Sequence, residues 1–380
     1  MKKFAWICFS ILMCLFILSG VAEEKNEADM LEASWCSREI VELPEEVLDS
    51  DTVKCFELLS DGSFILSEAN RFVITNATGC VLSHGELAHP NLKDEASEIR
   101  GIGATENSLL FAVYDYQSNS SYLAEMHLGE TNINYLALMD CCISSATVNE
   151  GRMLLVGEIG VEKRSPWASV VALDGTVLWQ YVDTSLENSK TNITHRVEAG
   201  EENQDVVYLL VSQTDKVDKE YFTHYELLIN DLNSGRSSKM LINSSGAINT
   251  IQQLVVDEEC AWILCKAYEG AEYYPTVLRI DLSTGEQAAI PCHSAKRIRQ
   301  LLISGKNVVL NTEYEDCAII STWDKSGEYI AGVKYPRESE QGRMTLLHML
   351  EVKDRLWAVG VLSRLENGER IRTTFLVPVE

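Results

Sequence analysis

Two histidines and a glutamate lie close together in the first quarter of the chain. His84 and His89 flank Glu86 in a segment that also contains glycine and proline. Imidazole and carboxylate groups are common zinc ligands, but a zinc site needs three or four of them at fixed positions. A five-residue step through a loop does not fix that geometry. We therefore interpret His84, Glu86 and His89 as solvated loop residues.

Two other short segments are partly similar to ligand-binding motifs. Residues 231–235, Asp-Leu-Asn-Ser-Gly, match the opening of a calcium loop, but Ile242 stands where the bidentate glutamate belongs. Cys292 and His293 are adjacent, but no paired C-x-x-C motif accompanies them. Neither segment predicts a metal site.

The motifs of common enzyme classes are absent from the sequence. There is no G-x-S-x-G and no H-E-x-x-H motif, and the candidate phosphate loop at Gly101-Ile102-Gly103 has Glu106 in the position of the third glycine. We therefore predict no catalytic, cofactor-binding or metal-binding residue. A hydrolase built on two carboxylates stays open, because its two groups would come from distant parts of one sequence.

A repeat of turn motifs runs through most of the chain. Each turn contains a glycine, which adopts positive φ at no steric cost, and successive glycines are 50, 46, 60, 50, 42 and 41 residues apart. The seven turns are Ala77-Thr78-Gly79, Leu128-Gly129-Glu130, Asp174-Gly175, Asn233-Ser234-Gly235, Ser283-Thr284-Gly285, Lys325-Ser326-Gly327 and Asn367-Gly368. This spacing is typical of repeated β-units.

Short apolar runs recur at the same interval and have the composition of buried strands. They are Ser63–Leu66, Leu109–Tyr114, Met153–Val156, Val206–Val211, Ala261–Leu264, Asn307–Leu310 and Leu356–Val361. The fifth unit is the clearest, with strands predicted at Ile248–Val256, Cys260–Ala267, Pro275–Leu282 and Gln287–Ile290. Four strands in about 45 residues is the size of a propeller blade.

The sequence therefore predicts an all-β fold, a single β-propeller of seven four-stranded blades, with six to eight as the range. A two-sheet solenoid and paired β-sandwiches are the alternatives. Helical pattern is scarce, although Glu27–Ser34 and Ser339–Glu351 could each form a helical turn or two. The predicted domains are a signal peptide over residues 1–22, an N-terminal extension over 23–37 and the propeller over 38–380.

The last unit has only three predicted strands, Thr345–Val352, Leu356–Leu362 and Arg372–Val379. A short β-like run at residues 39–43 precedes the first complete unit and has no partner nearby. Since an unpaired sheet edge is a liability, we predict that residues 39–43 form the outer strand of the last blade. They would pair antiparallel with Arg372–Val379 and close the ring.

One segment resembles the blade motif of the quinoprotein-like β-propeller repeat superfamily. Residues 172–179, Ala-Leu-Asp-Gly-Thr-Val-Leu-Trp, place alanine, aspartate and the turn glycine before a tryptophan, which in that family docks between blades. Residues 280–286 are similar up to Gly285 but lack the tryptophan. The other turns keep only the glycine.

This resemblance implies two kinds of function. The family's dehydrogenases bind pyrroloquinoline quinone and calcium, and some carry adjacent cysteines over the cofactor, as at Cys141-Cys142 here. No calcium ligand of the family can be matched in this sequence, so no cofactor is predicted, and we interpret the pair as small residues at the start of a blade. Other members are non-enzymatic scaffolds in outer-membrane assembly, but they carry a lipid-anchor cysteine that is missing here.

The first 22 residues have the three parts of a signal peptide. Lys2 and Lys3 precede an uncharged run over residues 4–18, and Gly20-Val21-Ala22 offers small residues at a cleavage site. An uncleaved membrane anchor is the alternative, since the run is near the length of a membrane span. We predict an extracytoplasmic protein, secreted or at the cell surface.

Nine of the 11 cysteines follow the predicted cleavage site, and their spacing fixes no disulfide connectivity. They are Cys36, Cys55, Cys80, Cys141, Cys142, Cys260, Cys265, Cys292 and Cys317. Cys260 and Cys265 fall on one predicted strand at an odd separation, so they should point to opposite faces about 16 Å apart, at about 3.3 Å per residue. A disulfide between them is therefore not expected.

The formal net charge is −25, and it becomes −27 when the first 22 residues and their two lysines are removed. Such a surface excludes nucleic acid and anionic lipid as partners. We predict a monomeric, non-catalytic propeller that binds a protein, peptide or glycan. The alternative is a propeller enzyme, either a glycan hydrolase or lyase or a quinone-dependent oxidoreductase. Three or more carboxylates, histidines or arginines converging on the central channel would favour the enzyme.

The signal-peptide assignment predicts that the mature protein begins at Glu23, because Ala22 is the last small residue before the acidic segment. The intact mass of exported protein should correspond to residues 23–380. Recovery of the full-length mass from a membrane fraction would instead show an uncleaved anchor.

Overall fold

The computed structural model describes most of the chain, and its ranges are residues 31–32, 41–43, 53–92, 97–130, 132–149, 151–160, 165–183, 192–217, 220–242, 248–269, 272–339, 342–352, 355–367 and 369–379. The predicted signal peptide lies outside these residues. Among the described residues, no helix is long and apolar enough to cross a membrane.

The described residues form seven sheets in chain order, antiparallel apart from one short parallel pairing at Leu31–Glu32, which confirms the predicted seven-bladed β-propeller. Two short strands, β1 (Leu31–Glu32) and β2 (Val41–Glu42), precede the blades. Blade 1 contains β3 (Cys55–Leu58), β4 (Phe64–Glu68), β5 (Arg71–Thr75) and β6 (Val81–Glu86). Blade 2 contains β7 (Ser97–Ala104), β8 (Ser108–Asp115), β9 (Ser120–His127) and β10 (Ile133–Met139). Blade 3 contains β11 (Cys141–Asn149), β12 (Arg152–Ile159), β13 (Ser165–Ala172) and β14 (Val177–Val182).

The second half of the ring has the same blade plan. Blade 4 contains β15 (Asn192–Asn203), β16 (Val206–Val217), β17 (Glu220–Asp231) and β18 (Ser237–Leu241). Blade 5 contains β19 (Ile248–Val256), β20 (Cys260–Glu269), β21 (Glu272–Asp281) and β22 (Gln287–Pro291). Blade 6 contains β23 (Arg297–Ser304), β24 (Asn307–Glu313), β25 (Cys317–Asp324) and β26 (Tyr329–Pro336). In blade 7 the two-residue β27 (Glu338–Ser339) pairs with the start of the inner strand, β28 (Gly342–Val352). The second and third strands are β29 (Arg355–Glu366) and β30 (Glu369–Val379).

All seven apolar runs predicted from sequence fall on or overlap the second strand of a blade. These strands are buried on both faces because each contributes to two apolar clusters, one shared with each neighbouring blade. On β20, Cys260, Trp262 and Leu264 pack towards blade 6, whereas Ala261, Ile263 and Cys265 pack towards blade 4. Cys260 and Cys265 thus lie on opposite faces as unpaired thiols, as predicted.

The ring is completed by an apolar cluster between blades 7 and 1. Phe64 and Leu66 of β4 pack there with Val359 and Val361 of β29. The imidazole Nε2 of His348 on β28 also lies 2.7 Å from the carbonyl oxygen of Val53, just before β3. Blade 7 therefore contacts blade 1 through side chains as every other pair of neighbours does.

The inner strands of blades 2 to 7 share an irregularity. Each carries a β-bulge, in which one residue has no opposite partner on the second strand. The bulged residues are Arg100, Ser144, Glu198, Gln252, Arg299 and Leu347. Bulges increase local twist and change the direction of a side chain.

Two sequence predictions are wrong in blade 7. The described part of residues 339–351 forms no helical turn, because Gly342–Val352 is the inner strand β28. Asn367 lies between β29 and β30, which are the second and third strands, whereas the other six turns join the third strand to the outer strand. The interval of 41 residues between Gly327 and Gly368 therefore joins turns at two different positions in a blade and is not a true repeat of the other five intervals. Blade 7 has no third-to-fourth turn because the described neighbour on the outer side of β30 is β2.

The structure pairs β2 with the last strand. Val41 lies opposite Leu376 and Glu42 opposite Phe375, antiparallel, and the Leu43 amide donates to the Thr374 carbonyl oxygen at 2.8 Å. This pairing covers two residues of the predicted five-residue strand; residues 39 and 40 lie outside the described residues. That such a strand closes and stabilises the ring stays a prediction.

Deletion of residues 23–44 should lower the midpoint of thermal unfolding of the whole ring by several degrees, because the edge of β30 would lose its partner strand and the apolar cluster between blades 7 and 1 would lose Leu43. Deletion of residues 23–30 is the matched control, since it leaves β1 and β2 in place. Circular dichroism of both proteins measures the effect. Equal unfolding midpoints for the two deletions would contradict a closing role.

Five of the seven blades end their third strand with a side chain that caps the following turn. An Asn or Asp oxygen accepts the backbone N–H two residues later, at 2.9 to 3.0 Å. These residues are Asn76, Asp174, Asp231, Asp281 and Asp324. Residues 231–235, which looked like a calcium-loop opening, are one of these capped turns.

The cap lowers the pKa of Asp281 to about 2, mainly through the Ser283 hydroxyl and the Thr284 amide. A folded-state pKa below the unfolded value of 3.8 stabilises the fold above that pH, and the contribution is lost as the pH falls towards 2.

Asp281→Asn should keep the cap, as Asn76 does, but remove its titration. The difference in free energy of unfolding between the wild type and Asp281→Asn should be constant above about pH 5 and change between pH 4 and 2. Urea unfolding at several pH values measures it, with Glu272→Gln as the control. A difference that stays constant down to pH 2 would show that the cap is not ionic.

Candidate ligand-binding site in the central channel

The seven inner strands line a central channel and all run in the same direction along it. We call the face where they begin the upper face and the face where they end the lower face. The upper face carries the hairpins between second and third strands. The lower face carries the turns between first and second strands and between third and outer strands.

A cavity of about 710 Å³ opens at the lower end of the channel. Six blades contribute to its wall, most of them through the last residues of their inner strands. Its acidic lining residues are Glu57, Glu201, Glu202, Asp257 and Glu258. Among the described residues, Lys325 is the one basic residue in the lining. The cavity therefore has a strong excess of carboxyl groups.

Three of these carboxylates have partners that fix them in the wall. Glu202 is buried and forms an ion pair with Arg152 at 2.7 Å. Asp257 forms an ion pair with Lys325 at 3.1 Å, and its other oxygen accepts two backbone N–H groups. The Glu258 carboxylate accepts a hydrogen bond from Gln204 Nε2 at 2.8 Å. These groups hold the wall together.

The other two carboxyl groups have unusual acidity. Burial raises the pKa of Glu57 from 4.5 to about 7. Burial, with the charge of Glu202 as a smaller cause, raises the pKa of Glu201 from 4.5 to about 8. Both groups thus titrate near neutral pH, because the channel removes water from them without supplying a cation.

Side-chain amides connect neighbouring inner strands around the cavity. Asn149 Nδ2 donates to the carbonyl oxygen of Glu202 at 2.7 Å, one blade further on. Gln253 both donates to the Leu301 carbonyl oxygen, at 2.9 Å, and accepts from the Leu301 amide, at 2.8 Å. Gln300 forms the same two-bond contact with the backbone of Met349. The cavity is therefore preorganised rather than loosely packed.

The structure overturns the solvated-loop interpretation for His89. Its ring is buried, with centroids 5.2 Å from the Tyr122 ring and 5.0 Å from the Tyr135 ring. Its Nδ1 accepts the Asn91 amide at 3.2 Å. His84 and Glu86 lie on β6, the outer strand of blade 1. Packing against the two tyrosine rings determines the position of the His89 imidazole, and the residue types of the segment do not reveal that packing.

The other residues singled out from sequence lie away from the cavity. Cys141 and Cys142 begin β11 at the upper face, as predicted, and burial raises the pKa of the Cys141 thiol to about 12. The Gly101 segment is part of β7. A side chain at Gly101 would meet the Cβ atom of Ala146 at 2.4 Å, so glycine allows two inner strands to approach. Among the described residues, no group of three His, Cys, Asp or Glu could hold a metal ion.

Sequence reasoning did not identify Glu57 or Glu201. Each lies near the end of an inner strand, and only the ring brings the two strands to one channel. The adjacent pair Glu201-Glu202 near the end of an inner strand was the available signal. Five carboxyl groups converge on the channel, which is the arrangement that the sequence analysis took as favouring an enzyme.

Trp179 occupies the place that the blade-motif resemblance implies. It packs against the cluster between blades 3 and 4, together with Tyr181, whose ring stacks 6.4 Å away at 13°. An aromatic side chain between two blades does not identify one superfamily of propellers, so the quinoprotein-like assignment stays a prediction.

Comparisons with known proteins identify the fold only. No protein-family model matches the chain, and no curated protein matches it in sequence. The β-propeller domain of the Trilobed protease from Pyrococcus furiosus is similar with a TM-score of 0.54 and 14% identity, over 87% of this chain and 97% of that one.

Two further solved structures give the same result. A prolyl endopeptidase is similar with a TM-score of 0.52 and 10% identity over 88% of this chain, which matches only 51% of the endopeptidase. The Dos1 propeller is similar with a TM-score of 0.51 and 8% identity, over 86% of this chain and 78% of that one. The chain is thus a seven-bladed β-propeller, similar in fold to propellers with different functions.

Proposed function

We propose that this chain is an exported, non-catalytic β-propeller whose lower cavity binds a cationic segment of a peptide or protein. The observation that carries the proposal is the imbalance in the cavity wall, where five carboxyl groups face one lysine. The predicted signal peptide supports export, and the net charge of −25 supports attraction of a basic partner over distance.

The two carboxyl groups with raised pKa values explain why a cation would bind. An ionised Glu57 or Glu201 is destabilised in the free protein because burial has removed its water. A lysine or arginine side chain in the cavity would replace that water with an opposite charge. Ligand binding would then lower both pKa values and ionise both groups.

The shape of the cavity suits part of a peptide chain. Its volume of about 710 Å³ lies within the range of about 300–1,000 Å³ typical of ligand pockets. Gln253 and Gln300 fix neighbouring inner strands, so little side-chain ordering would be needed on binding. A neutral glycan would not relieve the unfavourable charge, which is why a basic peptide is the better ligand.

A glycan hydrolase or lyase is the second candidate, and the raised pKa values favour it as well. A carboxyl group with a pKa near 7 can act as a general acid at neutral pH. However, Glu202, Asp257 and Glu258 are already committed to contacts within the wall, and Glu57 and Glu201 lie three blades apart. The two groups that remain, Glu57 and Glu201, can therefore bind a cation without acting on one bond together.

Titration calorimetry with the peptide acetyl-Gly-Lys-Arg-Lys-Gly-amide tests the proposal. The double variant Glu57→Gln/Glu201→Gln should bind at least about tenfold more weakly, equivalent to about 1.4 kcal/mol. The double variant should fold, since glutamine resembles the protonated carboxyl groups. Glu272→Gln, an exposed residue on the upper face, is the matched control.

The affinity of the wild type should rise between pH 6 and about pH 8.5, as Glu57 and Glu201 become ionised while the peptide keeps its charge. Substitution of glutamine for the three basic residues of the peptide should abolish binding. Equal affinities for the double variant and the control would contradict the proposal. Hydrolysis of an oligosaccharide panel that is lost in Glu57→Gln would support the enzyme instead.

A further inference from the structure

A cluster of opposite charge lies on the upper face, in blade 6. Arg297 and Arg299 are on the inner strand β23, Glu313 ends β24, and Arg337 follows β26. Three guanidinium groups thus surround one carboxylate. Arg299 is the bulged residue of its strand, and a bulge is a common way to change the direction of a functional side chain.

Glu313 holds the three arginines together. One carboxylate oxygen lies 2.8 Å from Arg297 Nε and 2.6 Å from Arg299 Nη2, and the other lies 3.0 Å from Arg337 Nη2. The Glu313 side chain is only 4% exposed. Both oxygens of the Glu313 carboxylate therefore already have partners within the protein.

Arg337 is a structural member of the cluster. Its side chain is 9% exposed, and Nη1 donates to the carbonyl oxygens of Tyr314 and Glu315 at 3.2 and 3.3 Å. Arg297 and Arg299 differ, because their side chains are 43% and 20% exposed. Among the described residues, both Nη atoms of Arg297 and Nη1 of Arg299 have no acceptor.

The cluster keeps a surplus of two positive charges. The nearest other charged pairs neutralise themselves, since Lys296 lies 4.0 Å from Glu315 and Arg343 lies 3.9 Å from Glu338. Burial lowers the pKa of Arg299, and the Glu313 carboxylate acts against this shift. One carboxylate shared by three guanidinium groups balances only one of their charges, so an anion from outside would stabilise the cluster.

We propose that Arg297 and Arg299 form an oxyanion-binding site on the upper face, which takes a carboxylate or phosphate group of a ligand. Planar guanidinium groups match the geometry of both oxyanions. Arg299 already donates Nε and Nη2 to Glu313, so it would contribute its Nη1, whereas Arg297 would contribute both Nη atoms. Glu313 and Arg337 are positioning residues that fix the orientation of the two binding arginines. The site lies at the opposite face from the acidic cavity and does not depend on the function proposed for it.

Titration calorimetry with citrate and with pyrophosphate, at low ionic strength, tests the site. Each probe that binds the wild type should bind Arg297→Gln and Arg299→Lys at least about tenfold more weakly, because the first loses a charge and the second loses the planar fork. Arg343→Gln, an exposed arginine of the upper face in blade 7, is the matched control and should bind as the wild type does. A preference for citrate or for pyrophosphate distinguishes a carboxylate ligand from a phosphate ligand.

Glu313→Gln separates a binding role from a purely structural one. Loss of the internal carboxylate raises the surplus to three charges, so the variant should bind the anion more tightly even if its unfolding temperature falls. If the cluster were only a structural ion network, Glu313→Gln should lower the unfolding temperature without tightening anion binding. Absence of binding to the wild type at 10 mM of either probe, or equal affinities for Arg297→Gln and Arg343→Gln, would overturn the site.

Discussion

The packing of each blade against its two neighbours is the constraint on which the rest of the structure depends. Seven apolar clusters lie between the described blades, one at each interface of the ring. The second strands contribute to clusters on both faces, as Trp262 and Ile263 do in blade 5. A blade therefore cannot bury its apolar side chains alone, and the ring stabilises itself as a unit.

This packing determines the electrostatics of the channel. Because the apolar interfaces hold the inner strands close together, residues at their ends cannot spread apart to reach water. On the lower face this brings Glu57 and Glu201 into one cavity with Glu202 and Asp257. On the upper face it holds Arg297 and Arg299 against Glu313. The two faces of one ring thus offer sites for ligands of opposite charge.

The sequence was sufficient to predict the fold because blade packing leaves a local signal. Strands such as Met153–Val156 need apolar side chains on both faces, and the turns need glycine or a capping residue such as Asp281. The predicted bounds of blade 5 therefore agree with β19 to β22 within about three residues. Blade 7 departs from the pattern because β2, from the other end of the described chain, lies beside its third strand.

The candidate sites could not be predicted in the same way. The cavity lining comes from six different blades, and no local spacing shows that Glu57 and Glu201 share a cavity. Bulges such as the one at Arg299 also shift the alternation of side chains within a strand. The prediction for His89 was wrong in another way. Its segment had the residue types of a solvated loop, but the histidine ring packs in an aromatic cluster.

The ring raises the pKa values of Glu57 and Glu201 in the lower cavity to near neutral pH, and the proposed function depends on this. Carbon-13 NMR of the side-chain carboxyl groups, titrated from pH 3 to 10 and assigned with Glu57→Gln and Glu201→Gln, measures this directly. The account predicts two resonances with midpoints near pH 7 and pH 8, both moving to lower pH when a basic peptide is added. Midpoints below about pH 5 for both groups in the free protein would contradict it.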